Sequence, residues 1–308
     1  MEKTLVLISP HGFCAGVERA VETAEAVLRR YPHPVYCLRE IVHNRQVIDA
    51  LAAKGMIFVG TIQDIPRGAT VLFSAHGISP AVREAARELQ LQTVDATCPF
   101  VTKVHQEVKR YAEQGYTILL IGHRAHDEIV GVAGEAPDRV IVIANADEAQ
   151  SVPVPDPDKV AMLTQTTLSL DEVAHVMDIL KRRFPALRTP PESDICYATR
   201  NRQQAVSLFA RRADAVIVLG TTNSSNSNRL VEVARAEGCA AMLVDTLETL
   251  ETFPLAGVTT LGLTAGASTP ESFVQEAITH LTTRGFRLIK EPPRVKETIH
   301  FPLPRELA

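Results

Sequence analysis

The sequence is poor in aromatic residues, in positive charge and in long apolar runs, and each shortage excludes a class of function. Aromatic side chains make up 5% of the 308 residues, and 32 basic residues face 36 acidic ones, for a net charge of −4. Nucleic-acid-binding proteins usually carry a basic excess with aromatic stacking faces, so no nucleic-acid partner is expected. The longest apolar runs, such as Ala215–Leu219, fall far short of the roughly 20 residues of a membrane-spanning helix. With no signal-peptide core at its start, the protein is expected to be cytoplasmic and to bind no membrane.

Common nucleotide and metal motifs are absent as well. The sequence has no Gly-x-x-x-x-Gly-Lys-Ser/Thr loop for ATP, and no Gly-x-Gly-x-x-Gly after a strand for a nicotinamide cofactor. Its five cysteines include no Cys-x-x-Cys pair, which argues against a zinc ribbon or a small ferredoxin site. Their odd number in a cytoplasmic chain argues against a disulfide framework.

Short apolar runs alternate with amphipathic segments along the whole chain. Thr4–Ile8, for example, precedes a polar turn and then a helical pattern from about Val17 to Arg30. This alternation predicts an α/β fold with mostly parallel sheets. In such folds ligands bind beyond the carboxyl ends of the strands, where helix N-termini favour anions. The unusual polar residues of this chain stand in those turns.

Three cysteine-bearing turns divide the chain into sections with the same order of features. In each section a cysteine turn is followed by two further polar turns at similar spacing. The cysteines are Cys14, Cys98 and Cys196, the second turns carry His43, His126 and Ser224, and the third turns carry His76, Thr166 and Ser268. We interpret this as three similar α/β units whose crevices share one centre, although any α/β fold repeats at about this period.

The predicted α/β units cover residues 14–97, 98–193 and 194–285, and an N-terminal strand in residues 1–13 completes the third. Residues 286–308 contain four prolines. Because proline cannot continue a helix, this tail is predicted to form an extended C-terminal strap.

The three cysteine turns suggest a metal centre. Each cysteine stands just before a predicted helix, and thiols at helix N-termini are readily available as thiolates. Three thiolates suit a soft metal and leave one coordination position open. That position belongs to a catalytic zinc or to one iron of an iron–sulfur cubane. The alternative, cysteine as a small apolar core residue, is preferred only for Cys37 and Cys239.

Histidines and one carboxylate stand in the strand-end turns. His43, His76 and His126 could bind a metal or, when protonated, a phosphate. Glu128 follows His126 by two residues and could act as a proton donor. A carboxylate favoured by the dipole of a helix N-terminus is an equally good interpretation of Glu128 from its position alone.

A run of hydroxyl and amide side chains also stands at predicted helix starts. Its candidate members are Ser224, Ser225, Asn226 and Ser268. Helix capping alone could explain such residues. The run from Asn223 to Asn228 exceeds what one cap requires, and it resembles a cradle for an oxyanion, with about 1.5–3 kcal/mol for each charge-assisted hydrogen bond.

Eight motifs then follow one another in a characteristic order. They are Gly-Phe-Cys-Ala-Gly-Val, Val-His-Asn, Ser-Ala-His-Gly, Asp-Ala-Thr-Cys-Pro, Thr-Gln-Thr-Thr-Leu-Ser, Ile-Cys-Tyr-Ala-Thr, Asn-Ser-Ser-Asn-Ser-Asn-Arg-Leu and Thr-Ala-Gly-Ala-Ser. In these motifs the chain resembles the 4-hydroxy-3-methylbut-2-enyl diphosphate reductases, also called the LytB family. The resemblance runs from about Val6 to Gly285, nearly the whole chain.

The resemblance implies a trefoil of three α/β units around one central 4Fe-4S cluster. It puts the cluster ligands at Cys14, Cys98 and Cys196. It puts the residues that hold the substrate diphosphate at His43, His76, His126, Ser224, Ser225, Asn226 and Ser268. Glu128 falls on the position of the proton donor, Thr166 on that of its substrate-contacting partner, and His126 lies beside them.

The implied activity is reductive dehydroxylation of 4-hydroxy-3-methylbut-2-enyl diphosphate to isopentenyl and dimethylallyl diphosphate, the last step of the non-mevalonate isoprenoid pathway. Because the chain lacks a flavin or nicotinamide motif, electrons are expected from a ferredoxin or a flavodoxin. The residues leave three alternatives open. These are a non-redox dehydratase or synthase with the same kind of cluster, as in quinolinate synthase, an iron–sulfur sensor, and a zinc hydrolase.

Two positions depart from the family pattern. His11 stands where arginine is common, and Asp127 stands between His126 and Glu128 where proline is usual. Neither departure removes a functional group. Without the proline, the turn that carries Glu128 is expected to be less rigid.

Overall fold

Strands and helices alternate in the computed structural model, which describes residues 2–291 and 295–307. The strands are β1 (Lys3–Leu7), β2 (Val35–Leu38), β3 (Met56–Val59), β4 (Thr70–Phe73), β5 (Gln92–Asp95), β6 (Thr117–Ile121), β7 (Val140–Ile143), β8 (Val160–Thr164), β9 (Ala215–Leu219), β10 (Ala240–Val244), β11 (Thr260–Ala265) and β12 (Phe286–Lys290). The helices are α1 (Ala15–Arg30), α2 (Arg45–Ala53), α3 (Pro80–Glu88), α4 (Pro99–Glu113), α5 (Asp127–Ala133), α6 (Ala146–Ser151), α7 (Leu170–Arg183), α8 (Tyr197–Ala210), α9 (Ser225–Ala236), α10 (Leu247–Glu251) and α11 (Glu271–Thr283). Every pairing between these strands is parallel, so the predicted α/β fold with three parallel-sheet units is confirmed.

The chain divides into two compact units, called lobe 1 and lobe 2 below. Lobe 1 comprises residues 2–18, 43–49, 197–291 and 295–300, and lobe 2 comprises residues 19–42, 50–196 and 301–307. Lobe 1 holds a five-stranded sheet in the order β10-β9-β11-β1-β12. Lobe 2 holds two sheets, in the orders β3-β2-β4-β5 and β7-β6-β8. Among the described residues, no helix has both the length and the apolar character that crossing a bilayer requires.

The sheet of lobe 1 is buried on both faces. Successive side chains of β1 point to opposite sides of the sheet, so Leu5 packs with Phe273 of α11 while Val6 packs with Phe209 of α8. Helices on both faces are what a parallel sheet requires, because its crossover connections run over them. The turns after β1, β9 and β11 then carry Cys14, Ser224 and Ser268, as the sequence pattern predicts.

The two sheets of lobe 2 are built in the same way. All five residues of β6 are buried. Ile118 packs in the core beneath α4 and α5, and Leu119 packs in the core beneath α7. The turns that follow β4, β5 and β8 carry His76, Cys98 and Thr166. After β6, His126 caps α5, and Glu128 lies in the first turn of that helix.

The predicted C-terminal strap is wrong over its first five residues. Residues 286–290 form β12, which pairs with β1, and Phe286 is buried in the core of lobe 1. The prolines that suggested a strap begin only after this strand. They are a stronger local signal than the few apolar side chains of β12. Residues 292–294 and 308 of the predicted strap lie outside the described residues. The boundaries at 14–97, 98–193 and 194–285, the last with residues 1–13, remain a prediction. Strands β2–β5 lie in the first range, β6–β8 in the second, and β1 and β9–β11 in the third.

Candidate active site

The three candidate metal-binding cysteines each precede a helix directly, as predicted. Helices α1, α4 and α8 begin at the residue after Cys14, Cys98 and Cys196, and all three cysteines are half-buried. No disulfide joins any of the five cysteines, all of which lie in the described part of the chain. The N–H groups of a helix N-terminus stabilise negative charge. This donor set therefore fits a thiolate-bound metal group.

Cys37 and Cys239 differ from these three in their surroundings. Cys37 is fully buried in β2, and Cys239 is 6% exposed before β10. Burial raises the pKa of both thiols, because a thiolate would lose its hydration there. The prediction that these two cysteines fill the core is confirmed.

In lobe 1 the Cys14 turn is held by backbone hydrogen bonds. The Cys14 amide donates to the carbonyl of Ala267 at 3.2 Å, and Gly12 has a φ of 67°, which favours glycine. His11 lies 3.5 Å from the carboxylate of Glu271. Burial lowers the pKa of His11, although that carboxylate opposes the shift. The histidine at this departure from the family pattern thus behaves mainly as a neutral side chain.

The start of α9 forms a small polar cradle in lobe 1. Ser224 caps the helix, and its oxygen accepts from the amide of Ser227 at 3.3 Å and from the Ser227 hydroxyl at 3.0 Å. Because a hydroxyl has two lone pairs and one proton, Ser224 can still donate to a ligand. Asn226 is 5% exposed, and both polar atoms of its amide lack a hydrogen-bond partner among the described residues. An unpaired buried amide costs about 1–3 kcal/mol, which a ligand could offset.

Two glycines make room for this cradle. A Cβ atom at Gly220 or at Gly266 would overlap the Ser227 hydroxyl. Only glycine at both positions lets Ser227 lie between the turns after β9 and β11, where it supports Ser224. The capping interpretation of this run is therefore correct for Ser224 but does not explain the unpaired amide of Asn226.

The backbone of His43 is fixed to the same turns. Its carbonyl accepts from the hydroxyl of Thr221 at 3.0 Å and from that of Ser268 at 2.9 Å. Ser268 is 7% exposed. Lobe 1 thus brings His43, Ser224 and Ser268 onto neighbouring turns, and the single hydroxyl proton of Ser268 points at the His43 carbonyl.

In lobe 2 the structure connects the candidate residues by an unbroken series of contacts. The Cys98 amide donates to Ala75, the residue before His76, at 3.0 Å. The rings of His76 and His126 meet edge to face with centroids 5.6 Å apart. Nδ1 of His126 accepts from the Glu128 amide at 3.2 Å, so the neutral ring carries its proton on Nε2.

The series continues through the carboxylate of Glu128. Its two oxygens accept from the amide of Thr166 at 2.7 Å and from the Thr166 hydroxyl at 2.9 Å. The carbonyl of Thr166 in turn accepts from the Cys196 amide at 3.1 Å. Cys98 therefore shares a backbone contact with the turn of His76, and Cys196 shares one with the turn of Thr166, the partner of the candidate acid.

Glu128 lies in the first turn of α5, and it is a buried acid. It is 2% exposed. Burial raises its pKa to about 7, the hydrogen bonds from Thr166 oppose this shift, and the carboxylate of Asp194 adds to it. A carboxyl group with this pKa is part protonated near neutral pH and can donate a proton.

The raised pKa of Glu128 predicts a pH-dependent stability. The folded state holds this proton until about pH 7 and the unfolded state only until 4.5, so wild-type stability falls as pH rises between these values. Glu128→Gln lacks this titrating group. Between about pH 5 and about pH 8, its free energy of unfolding should therefore rise by about 2–3 kcal/mol relative to that of wild type. Denaturant unfolding at both pH values measures this difference.

Glu148 provides the control for that measurement. Arg124 pairs with this carboxylate and lowers its pKa to about 2, so it stays ionised in both states above about pH 5. Glu148→Gln should show no pH-dependent gain over the same range. Equal pH profiles for Glu128→Gln and wild type would contradict the buried, raised pKa.

At the position where the family usually has proline, this chain carries an ion pair. Asp127, the first residue of α5, forms an ion pair with Arg39. Arg39 follows β2 and has a φ of 60°. An acidic side chain also suits the positive N-terminus of a helix. The ion pair thus supplies a restraint that the sequence expectation did not include.

Three polar residues of lobe 2, two of them buried and Asp95 half-buried, are not among the sequence-predicted site residues. Gln165 is fully buried, and it bonds the amide of His123 and the hydroxyl of Thr167. Asp194 accepts from the amide of Thr164 at 3.0 Å, and burial raises its pKa to about 6. Asp95 accepts from the amide of Thr97 at 2.9 Å. The two aspartates could have been found from their place before a candidate cysteine, since Asp194 precedes Cys196 by two residues and Asp95 precedes Cys98 by three.

Comparison with known proteins gives consistent matches over nearly the full length. The family described as LytB protein matches residues 5–282. A 4-hydroxy-3-methylbut-2-enyl diphosphate reductase of Acidothermus cellulolyticus is 52% identical, over 99% of this chain and 90% of the relative. The reductase 2 of Mycobacterium tuberculosis is 51% identical, over 99% and 91%.

Solved structures agree with these matches. The structure of E-1-hydroxy-2-methyl-but-2-enyl-4-diphosphate reductase from Plasmodium falciparum matches with a TM-score of 0.96 and 38% identity, covering 100% of this chain and 97% of the other. A second structure, of (E)-4-hydroxy-3-methyl-but-2-enyl diphosphate reductase, described as the terminal enzyme of the non-mevalonate pathway, matches with a TM-score of 0.64 and 29% identity. It covers 91% of this chain and 99% of the other.

Proposed function

This chain belongs to the LytB protein family, and from that premise we propose that it reduces 4-hydroxy-3-methylbut-2-enyl diphosphate to isopentenyl and dimethylallyl diphosphate. The chain is an oxidoreductase, as its relatives are. The observation that carries the proposal is the buried pair of Glu128 and Thr166, next to His126 and tied to the turn of Cys196. A dry carboxyl group with a pKa near neutrality is the acid that removal of an allylic hydroxyl as water requires.

We propose Cys14, Cys98 and Cys196 as ligands of one 4Fe-4S cluster. The thiols suit it because none is in a disulfide, each is half-buried and each precedes a helix N-terminus. Such a cluster, when bound, would supply single electrons and one iron that lacks a protein ligand and acts as a Lewis acid. Thiolate ligands must stay reduced, and for that reason we place the protein in the cytoplasm.

The polar cradle of lobe 1 is proposed to hold the substrate diphosphate. The unpaired amide of Asn226 and the remaining hydroxyl proton of Ser224 are donors that suit phosphate oxygens. Ser225, Ser268 and His43 stand on the same turns. Ser268 would have to release the carbonyl of His43 before it could donate to a phosphate.

The turns of lobe 2 are proposed to complete the binding and to supply the proton. His76 and His126 contribute imidazole donors, His126 through Nε2. Glu128 gives its proton to the leaving hydroxyl group, which departs as water. Thr166 keeps both carboxyl oxygens oriented during this transfer, since it donates to one from its amide and to the other from its hydroxyl. Two electrons from a ferredoxin or a flavodoxin replace the broken C–O bond, and a second proton, taken from water, adds to the allylic fragment to give the two products.

The test is anaerobic purification with iron and sulfide analysis, followed by turnover of the allylic diphosphate. We expect about four irons and four sulfides per chain, and turnover only with a low-potential reductant. Zinc without sulfide would point to a hydrolase. Turnover without a reductant would point to a non-redox dehydratase or synthase, and a cluster without turnover would point to a sensor.

A further inference from the structure

We propose that the described C-terminal segment, residues 295–307, positions the turns of Cys14 and Cys98 through two arginines, Arg202 and Arg19. Each guanidinium group bonds this segment on one side and, on the other, a backbone carbonyl one or two residues before a cysteine. The inference rests on the proposed function only in treating these cysteines as metal ligands.

The first arginine is buried in lobe 1. Arg202 of α8 is 1% exposed, and one terminal nitrogen donates to the carboxylate of Glu297 at 3.1 and 3.2 Å. Asn201 donates to the same carboxylate at 3.0 Å. A buried guanidinium group without a counter-charge is strongly destabilising. Glu297, from the C-terminal segment, supplies that charge.

The other side of Arg202 reaches the cysteine turn. Its second terminal nitrogen donates to the carbonyl of Gly12 at 2.9 Å, two residues before Cys14. Gly12 has the positive φ that sets the direction of this turn. Loss of the Glu297 charge should draw Arg202 toward water and release the Gly12 carbonyl.

The second arginine repeats the arrangement within lobe 2. Arg19 of α1 donates through Nε to the carbonyl of Pro302 at 2.8 Å and through a terminal nitrogen to the carbonyl of Thr97 at 3.0 Å. Thr97 directly precedes Cys98. The ring of Phe301 also meets that of Phe100 edge to face, with centroids 6.0 Å apart. The C-terminal segment thus reaches the residue before Cys98 through Arg19 and contacts Phe100, after Cys98, directly.

These contacts assign a positioning role to a segment that contributes no ligand itself. A metal site needs its ligands held within about 0.5 Å of the productive geometry, which depends on bonds behind the ligating residues. Arg202 and Arg19 provide such bonds, and they join the cysteine turns to residues of the C-terminal segment that lie outside every strand and α-helix. Their effect should therefore be specific to the neighbouring cysteine.

The experiment measures alkylation of each cysteine in the iron-free full-length chain by mass spectrometry. Glu297→Gln should raise the alkylation rate of Cys14 by about tenfold to a hundredfold, the effect of losing one charged hydrogen bond, and should leave Cys98 unchanged. Arg19→Ala should raise the rate at Cys98 and leave Cys14 unchanged. Iron loss to a chelator from the loaded protein should quicken in both variants.

Two matched variants serve as controls. Glu291→Gln removes an exposed ion pair with Arg212 shortly before the same segment, and Arg29→Ala removes an exposed arginine of the same helix α1. Both should leave all alkylation rates at wild-type values. Equal increases at all cysteines, with a matching fall in Tm, would show general destabilisation and overturn the proposal, as would unchanged rates in Glu297→Gln and Arg19→Ala. A wild-type chain without iron and sulfide would overturn the proposed function instead.

Discussion

Glu128→Gln is expected to lower the turnover number by about 10²–10⁴-fold, the usual contribution of a positioned general acid. The substitution keeps the shape of the side chain but removes the acidic proton. Its amide oxygen can still accept from the Thr166 amide, and the Thr166 hydroxyl can turn to accept from the new amide nitrogen. Steady-state turnover with a chemical reductant measures the loss.

Cluster content must be followed in parallel, because the variant is expected to keep the visible absorbance and iron content of wild type. Glu148→Gln, at an exposed carboxylate paired with Arg124, should turn over at the wild-type rate. Full activity of Glu128→Gln would remove this residue from the mechanism. Loss of activity together with loss of iron would mean that the substitution acts on the cluster site and not on proton transfer.

Single substitutions of the cysteines should divide them into two groups. Cys14→Ser, Cys98→Ser and Cys196→Ser should each lose most of the bound iron and reduce turnover by more than about 10³-fold, because a hydroxyl is a poor ligand for a soft metal centre. Iron analysis of anaerobically purified protein and the turnover assay measure both effects.

The two remaining cysteines provide internal controls for this series. Cys37→Ala and Cys239→Ala remove only small buried side chains. They should lower stability by a modest amount, about 1 kcal/mol or less per lost group, and keep the iron of wild type. Iron loss in either control equal to that in Cys98→Ser would contradict the assignment of the ligands.

Local patterns predicted the positions of the candidate residues well. The helix starts after Cys14, Cys98 and Cys196 follow from a turn placed between an apolar run and an amphipathic segment, which is information held within about 15 residues. β12 was missed for a related reason. The prolines that follow it are a stronger local signal than the few buried side chains of a short edge strand.

The burial of Glu128 and the contacts between residues far apart along the chain could not be predicted from these local patterns. An acid at a helix start is usually exposed, so nothing near Glu128 in the sequence shows that Thr166 lies over its carboxyl group. Likewise, the partner of Asp127 is Arg39, far away along the chain. Such contacts depend on how strands from different sections lie side by side, which single residues do not specify.

The hydroxyl of Ser227 lies against Gly220 and Gly266, so the residue tolerated at each of these three positions depends on the other two. A methyl group at either glycine would push the serine out, and a larger side chain at 227 would collide with both backbones. Homologous sequences are therefore expected to keep all three residues, and a sequence that changes one of them is expected to change the others as well. The three residues together form a sequence pattern that could identify distant relatives in which the cysteine motifs differ.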